Sequence, residues 1–139
     1  MAQTVGDVMT RNPVTIEANE PVGEAARRMR EADTGAIVVL DDGRVNGIIT
    51  DRDITVRLVA NDRDSGTPVR EVASTADVET VGPDASIEQV VQLMRTRAIR
   101  RLPVVENGAA VGIVSIGDLA IERDSDSVLA DISAAEPNT

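Results

Sequence analysis

The strongest constraint on this chain is that it is written twice. Gly47-Ile48-Ile49-Thr50-Asp51-Arg52-Asp53 returns as Gly112-Ile113-Val114-Ser115-Ile116-Gly117-Asp118, 65 positions later (112 minus 47). The same offset carries Thr15 onto Thr80, Met29 onto Met94, Arg30 onto Arg95, Val39 onto Val104 and Gly43 onto Gly108 without a gap. A period this long, present only twice, argues for two paired supersecondary units that cover each other's apolar faces rather than for an open solenoid. At 139 residues the chain has the size of one domain and buries roughly 70% of its unfolded surface. Two half-domains sharing one core are therefore expected.

Each repeat reads as strand, helix, strand, strand, helix, a mixed α/β (α+β) pattern. In the first, Val14–Ile16 is a short strand, and Asn19-Glu20-Pro21 supplies cap and first-turn residues for a helix. Val22, Ala25, Ala26 and Met29 then fall on one helical face, with Glu24, Arg27, Arg28 and Glu31 pointing outward. Ile87, Val90, Val91 and Met94 repeat that stripe. The runs Ala36–Leu40 and Leu102–Val105 are β-branched strands. Asp41-Asp42-Gly43 and Glu106-Asn107-Gly108 make tight hairpin turns, and Val45–Ile49 and Ala110–Val114 return antiparallel. Short helices follow over Asp51–Ala60 and Ile116–Arg123. The expected division is repeat one over 5–60, a polar linker over 61–68, repeat two over 69–123 and a tail over 124–139. A brief helix is expected around Val128–Ile132.

Composition removes several kinds of chemistry. The chain has no Phe, Trp, Tyr, Cys or His, so Val, Ile, Leu, Ala and Met must fill the core. Disulfides and ordinary zinc sites on imidazole or thiolate are excluded, and no metal site is expected. All 14 basic residues are Arg, and 24 carboxylates leave a net charge of −10. Such a surface repels itself unless salt screens it, and a Lys-free acidic composition resembles that of halophilic archaeal proteins. The same balance argues against nucleic acid, whose phosphates demand a basic face. No apolar run is long enough for a membrane span and no secretory signal is read, so a cytoplasmic location is expected. Asp41-Asp42 and Asp62-x-Asp64 lack the glycine and distal Glu of a calcium loop and read as solvated turns. Arg27-Arg28-x-Arg30 reads as a helix face paired with its own acids.

The repeated phrase, Gly-x-x-Thr/Ser-x-x-Asp, stands where a strand runs into a helix and admits two readings. In one, Thr50 or Ser115 caps the helix while the acid three residues on reaches back to the cap amide, a short capping box contributing about 0.5 to 2 kcal/mol. In the other, the helix start and hydroxyl offer donors to an anion while the carboxylate accepts hydrogen bonds from a ribose diol. The two are compatible.

These residues closely resemble a tandem pair of CBS domains, the cystathionine β-synthase type of repeat that pairs into a Bateman module. The markers run in order: Val5-Gly6-Asp7-Val8-Met9-Thr10 with Pro13-Val14-Thr15-Ile16, the amphipathic helix, Arg101-Leu102-Pro103-Val104-Val105, and both Gly-x-x-Thr/Ser-x-x-Asp phrases. The resemblance implies two repeats packed with pseudo-twofold symmetry, small mixed sheets flanked by helices, and two clefts between them. It further implies adenosine-containing ligands: AMP, ADP, ATP or S-adenosylmethionine, none of them an obligatory cofactor. It assigns Thr50 and Asp53 to ribose and phosphate in one cleft, and Ser115 and Asp118 to the same roles in the other. Thr15, Ile16, Thr80 and Val81 line base or ribose, and adenine also meets the entries to the second strands, Gly35, Ala36, Ile37, Arg101, Leu102 and Pro103, where exposed backbone groups can read its edge. With no aromatic to stack on, the base sits among aliphatic side chains.

The repeats differ where a phosphate binds. Arg100-Arg101 stands against Gly35-Ala36, and Arg52 against Gly117. A guanidinium is suited to hold a polyanion in an acidic protein; the alternative for Arg100 and Arg101 is a solvated salt bridge. Without His, Cys or Lys there is no nucleophile and base pair beyond a carboxylate chemistry on Asp53 and Asp118, so no catalytic residue and no enzyme is expected. The expectation is a regulatory module that binds an adenosyl compound, forms a homodimer through its helices and signals to a protein partner. The alternative is a structural homodimerisation module with no ligand.

Overall fold

Two segments leave the repeat in which they are written and complete the other one. The computed structural model describes residues 4–75 and 78–123. Its elements in chain order are α1 (Val5–Val8), β1 (Thr10–Arg11), β2 (Thr15–Glu17), α2 (Val22–Ala32), β3 (Ala36–Asp41), β4 (Arg44–Thr50) and α3 (Asp51–Asp53, continued by a π-helical stretch Ile54–Val59). A 3₁₀ turn (Val69–Glu71) follows, then α4 (Ile87–Arg97), β5 (Arg101–Glu106), β6 (Ala109–Ser115) and α5 (Ile116–Arg123). They fold as two compact units: one spans Pro13–Val78, and among the described residues the other joins 4–12 to 79–123. The N-terminal segments of the two repeats, 5–60 and 69–123, thus lie each in the compact unit of the other repeat. The tail helix expected near Val128 lies outside the described residues.

In the Pro13–Val78 unit the strand order is β2-β3-β4, with β2 parallel and β4 antiparallel to β3. Val22, Ala25 and Met29 of α2 are buried in its core with Ile16, Ile37, Val39 and Ile49. Each fully buried side chain of this size contributes about 1.5 to 3 kcal/mol. Ala26 is exposed, so the α2 stripe is narrower than the spacing predicts. Val69, Val72 and Ala73 belong to the same core, and Ser74 bridges Ile48 on the outer side of β4. The expected linker is also built in. Thr67 and Ser65 carbonyls accept the Val22 and Gly23 amides at 2.8 and 2.9 Å, which satisfies the start of α2 where Pro21 offers no side-chain cap.

The other unit repeats the plan with strand order β1-β6-β5 and a core of Val5, Ile87, Val90, Met94, Leu102, Val104, Val114 and Leu119. Each unit thus has a core cluster of its own. Here the transferred segment is α1 with β1: β1 pairs with β6, Thr10 opposite Ile113 and Arg11 opposite Gly112. Both hairpins turn on two residues with positive φ, Asp42-Gly43 (54° and 83°) and Asn107-Gly108 (55° and 83°), the twist-matched geometry those residue pairs favour.

The motif glycines are where the transferred segments pass. A Cβ on Gly47 would overlap the carbonyl oxygen of Ser74 and stand 3.0 Å from Thr75 Cγ2, and one on Gly112 would meet Met9 and the Thr10 carbonyl oxygen, the latter at 2.9 Å. Neither glycine is needed for a left-handed backbone; each is needed for close approach of a neighbouring chain segment.

Candidate functional site

Within the Pro13–Val78 unit, the start of β2, the start of β3 and the end of β4 meet at one end of the sheet. Ala36 pairs with Thr50, Thr15 with Val38, and the Asp51 amide donates to the Gly35 carbonyl at 3.0 Å. Thr15, Gly35, Ala36, Thr50, Arg52 and Asp53 are thereby gathered. At the helix start, Thr50 Oγ1 accepts the Asp53 amide at 3.1 Å and Asp53 Oδ2 accepts the Thr50 amide at 2.9 Å. The other unit copies this: Arg101 pairs with Ser115, and the Ile116 amide donates to the Arg100 carbonyl at 2.9 Å. Ser115 Oγ accepts the Asp118 amide at 3.2 Å while Asp118 Oδ2 accepts the Ser115 amide at 2.9 Å. The capping reading of the repeated phrase is realised in both copies.

Capping leaves chemistry over. A carboxylate accepts about four hydrogen bonds and a hydroxyl keeps its proton to donate, so each box occupies only part of its groups. Asp118 Oδ1 accepts nothing among the described residues. Asp53 Oδ1 instead faces Arg57 Nε at 3.9 Å, while Arg57 Nη1 donates to the Val72 and Ala73 carbonyls at 3.2 and 3.4 Å. Arg57 was not among the expected site residues, although its i,i+4 spacing from Asp53 is visible in the sequence.

Burial sorts the remaining expected residues. Ile16, Ile37 and Leu102 are core side chains with 1% exposure or less, and Ala36 and Pro103 are buried as well. Ile37 and Leu102 point into the cores of their units, whereas Ala36 and Pro103, next to them in the strands, lie on the opposite sheet face. The backbone at these strand starts is also partnered: Thr34 Oγ1 bonds both the amide and the carbonyl of Ala36, and the Val81 amide donates to the Pro103 carbonyl. Thr80 is exposed, and Thr15 and Val81 are half-buried.

The cations behave differently from the salt-bridge reading. Arg52, Arg100 and Arg101 are exposed, and among the described residues none of their guanidinium groups forms an ion pair or hydrogen bond. Arg28, read as outward-facing, is half-buried and donates to the Thr15 carbonyl at 2.7 Å, with Glu20 and Glu24 at 3.0 and 2.9 Å on its other nitrogens. Hydrogen bonds from Arg27 and then Arg28 hold the Glu24 carboxyl below its ordinary range. Among the described residues no three acids cluster as a metal site, and no helix is long and apolar enough to cross a membrane.

Comparison with known proteins adds the following. The CBS domain profile matches residues 5–60 and 69–124. A CBS domain-containing protein of Bacillus subtilis, YhcV, is 43% identical over 122 residues, covering 88% of this chain and 86% of its own. Hypoxic response protein 1 of Mycobacterium tuberculosis is 33% identical over 118 residues, covering 84% and 82%. Among solved structures, a CBS-domain containing protein from Agrobacterium tumefaciens superposes with a TM-score of 0.76 at 34% identity, covering 88% of this chain and 95% of its own. A hexameric CBS-CP12 protein from bloom-forming cyanobacteria gives 0.78 at 29% identity, covering 89% and 74%.

Proposed function

Because this chain belongs to the CBS-domain family, as a tandem pair, we propose that it is a non-catalytic regulatory module. It binds an adenosine-containing ligand, AMP, ADP, ATP or S-adenosylmethionine, and reports that state to a partner protein. The observation that carries the reading is the grouping at one sheet end of Arg100, Arg101, Ser115 and Asp118. Two guanidinium groups there lack a partner among the described residues, in a chain of net charge −10. Two adjacent arginines beside a hydroxyl and a spare carboxylate oxygen suit a phosphorylated sugar. The arginines take phosphate, and Asp118 Oδ1 accepts from the ribose hydroxyls.

The test must separate ligand from cap. Replacing Asp118 by Ala removes both; Asp118→Asn keeps an oxygen for the Ser115 amide and turns the outer oxygen into a donor. In molar salt, a nucleotide at about 100 times its dissociation constant stabilises the chain by about 2.7 kcal/mol. Asp118→Asn should fold with near-normal stability and lose most of that increment, and Arg100→Gln/Arg101→Gln should weaken ATP and ADP more than adenosine. Unchanged melting of the unaltered chain across the four ligands would overturn the reading.

A second reading rests on exposed apolar surface. Val56, Val59 and Ile116 are 46, 63 and 55% exposed, and Ile116 borders a groove of about 310 Å³ lined by Val91, Met94, Ile99 and Leu119. Such surface in an acidic chain favours self-association, as does the hexameric state of the cyanobacterial relative. Ile116→Glu should then lower the mass measured by sedimentation; an unchanged mass rejects this face as the interface.

A further inference from the structure

β2 is an edge strand of three residues, and its outward backbone groups are completed by side chains rather than by another strand. The Val14 carbonyl and the Ala18 amide face β3, bonding Val38 and Leu40. By strand alternation the Thr15 carbonyl and the Glu17 amide face away. Arg28 Nη1 donates to that carbonyl at 2.7 Å, and Glu20 Oε2 accepts that amide at 2.9 Å. Arg28 Nη2 and Nε hold Glu20 Oε1 and Glu24 Oε2 at 3.0 and 2.9 Å, and Glu17 Oε1 accepts the Asp42 amide at 3.1 Å. One network thus ties both ends of β2 to α2 and to the β3–β4 turn.

The second repeat is the internal control. At the 65-residue offset, Glu17, Glu20, Glu24 and Arg28 become Gly82, Ala85, Gln89 and Leu93, so none of these bonds has a counterpart. There the segment equivalent to β2 keeps a single bridge, Val81 to Val104, in place of the three register pairs of Thr15, Ile16 and Glu17. Strand and network are present together in one repeat and reduced together in the other, where Pro103, in the place of Val38, also has no amide to match the Val38–Val14 bond.

We propose that Arg28, braced by Glu20 and Glu24, is a positioning residue for the ligand, building Thr15–Glu17 into a preformed strand at the first repeat's sheet end. The inference rests on the nucleotide-binding reading above. It makes the two sheet ends unequal in rigidity as well as in charge: the first repeat offers Thr15 on a fixed backbone, the second offers Thr80 on a loosely held one. Preorganisation of this kind raises affinity by removing an ordering cost from the binding step.

The test is carried out on the full chain in molar salt with Arg28→Leu, which copies the second repeat, and Arg28→Lys, which keeps a point charge but not the three-way fork. Hydrogen exchange without ligand reads the strand, and calorimetric titration with AMP and ATP in an Asp118→Asn background, which leaves the first repeat's sheet end to bind, reads the site. Arg28→Leu should speed exchange of the Ile16, Ala18 and Val38 amides about tenfold, in line with loss of a charge-assisted hydrogen bond. It should weaken nucleotide binding severalfold, with Arg28→Lys between it and the parent. Should Arg28→Leu fold poorly, Glu24→Gln, which weakens the brace without touching the β2 backbone, should shift both readouts in the same direction by less. Unchanged exchange at those amides overturns the proposal, and so does faster exchange with undiminished affinity, since a merely structural strut predicts that pair. If the unaltered chain binds no nucleotide, the functional reading falls and the ligand half of this inference with it, while the exchange data still decide whether Arg28 builds the strand.

Discussion

Replacing Gly47 by Ala tests why the repeated phrase begins with glycine. The added Cβ would overlap the Ser74 carbonyl oxygen, a backbone atom with no rotamer to escape into, and would stand 3.0 Å from Thr75 Cγ2. Overpacking of this kind costs about 1 to 3 kcal/mol. If the segment moves aside, it gives up the Ile48–Ser74 bridge, two bonds of 3.1 and 3.0 Å, at about 1 kcal/mol each. A loss of about 3 kcal/mol follows, which lowers the urea midpoint by about 1 to 2 M for a slope near 2 kcal/mol/M. Far-UV circular dichroism in constant salt is the assay, since the chain has no aromatic residue for fluorescence. Gly117→Ala is the control. Its Cβ meets nothing nearer than Ser115 Oγ at 3.6 Å, and helix propensity makes it up to about 1 kcal/mol more stable. A Gly47→Ala chain within about 0.5 kcal/mol of the parent would refute the claim that close approach of the transferred segment requires this glycine.

Two further outcomes follow from local geometry. Ala98 ends α4 in the left-handed region, φ 55° and ψ 43°, where a Cβ costs about 1 to 2 kcal/mol. Ala98→Gly should therefore raise stability by about 0.5 to 1 kcal/mol after the unfolded-state entropy of glycine is counted, read as a higher urea midpoint; a lower one contradicts it. Glu24 has a lowered pKa when folded, caused first by its hydrogen bonds from Arg27 and Arg28. Its ionised form is favoured by folding, so its contribution is present at neutral pH and is lost as pH falls through the acid range. Glu24→Gln should flatten the fall of the midpoint between about pH 5 and pH 3, and an identical acid profile would contradict the pairing.

The parts of the fold legible in the sequence were those set by local chemistry. Asp42-Gly43 and Asn107-Gly108 announce their turns because few other pairs accept two positive φ values, and Val22, Ala25 and Met29 announce a buried helix face by spacing alone. The register of the 65-residue repeat carried the equivalence of the two sheet ends. What stayed illegible depends on partners far along the chain. Nothing local in 5–11 or 69–74 says that each segment completes the other repeat, and nothing in 61–68 says that its carbonyls cap α2. Arg28 was read as outward because helical spacing places it beside acids; spacing alone does not reveal that its guanidinium reaches across to Thr15. The resemblance brings Ile16, Ile37 and Leu102 to a ligand, and nothing in it says that their side chains lie in the cores.

The Thr/Ser-x-x-acid pattern, finally, is a weaker mark of a ligand than its duplication makes it look, because this chain starts other helices the same way. Ser86 and Gln89 exchange bonds of 2.9 and 3.1 Å at the head of α4, and the Thr4 amide donates to Asp7 at 3.2 Å at the head of α1. Neither of those boxes has a free arginine pair beside it. Each part of the repeated phrase also has a structural role: the glycine admits a neighbouring segment, and the hydroxyl and acid close a helix start. What the cap leaves unexplained is the surroundings: Arg52 beside one box, and Arg100 with Arg101 beside the other. The case for an anionic ligand therefore rests on those guanidinium groups more than on the motif. Loss of nucleotide binding in Arg100→Gln/Arg101→Gln with the Ser115–Asp118 box intact is the more discriminating result than any loss produced by altering the box itself.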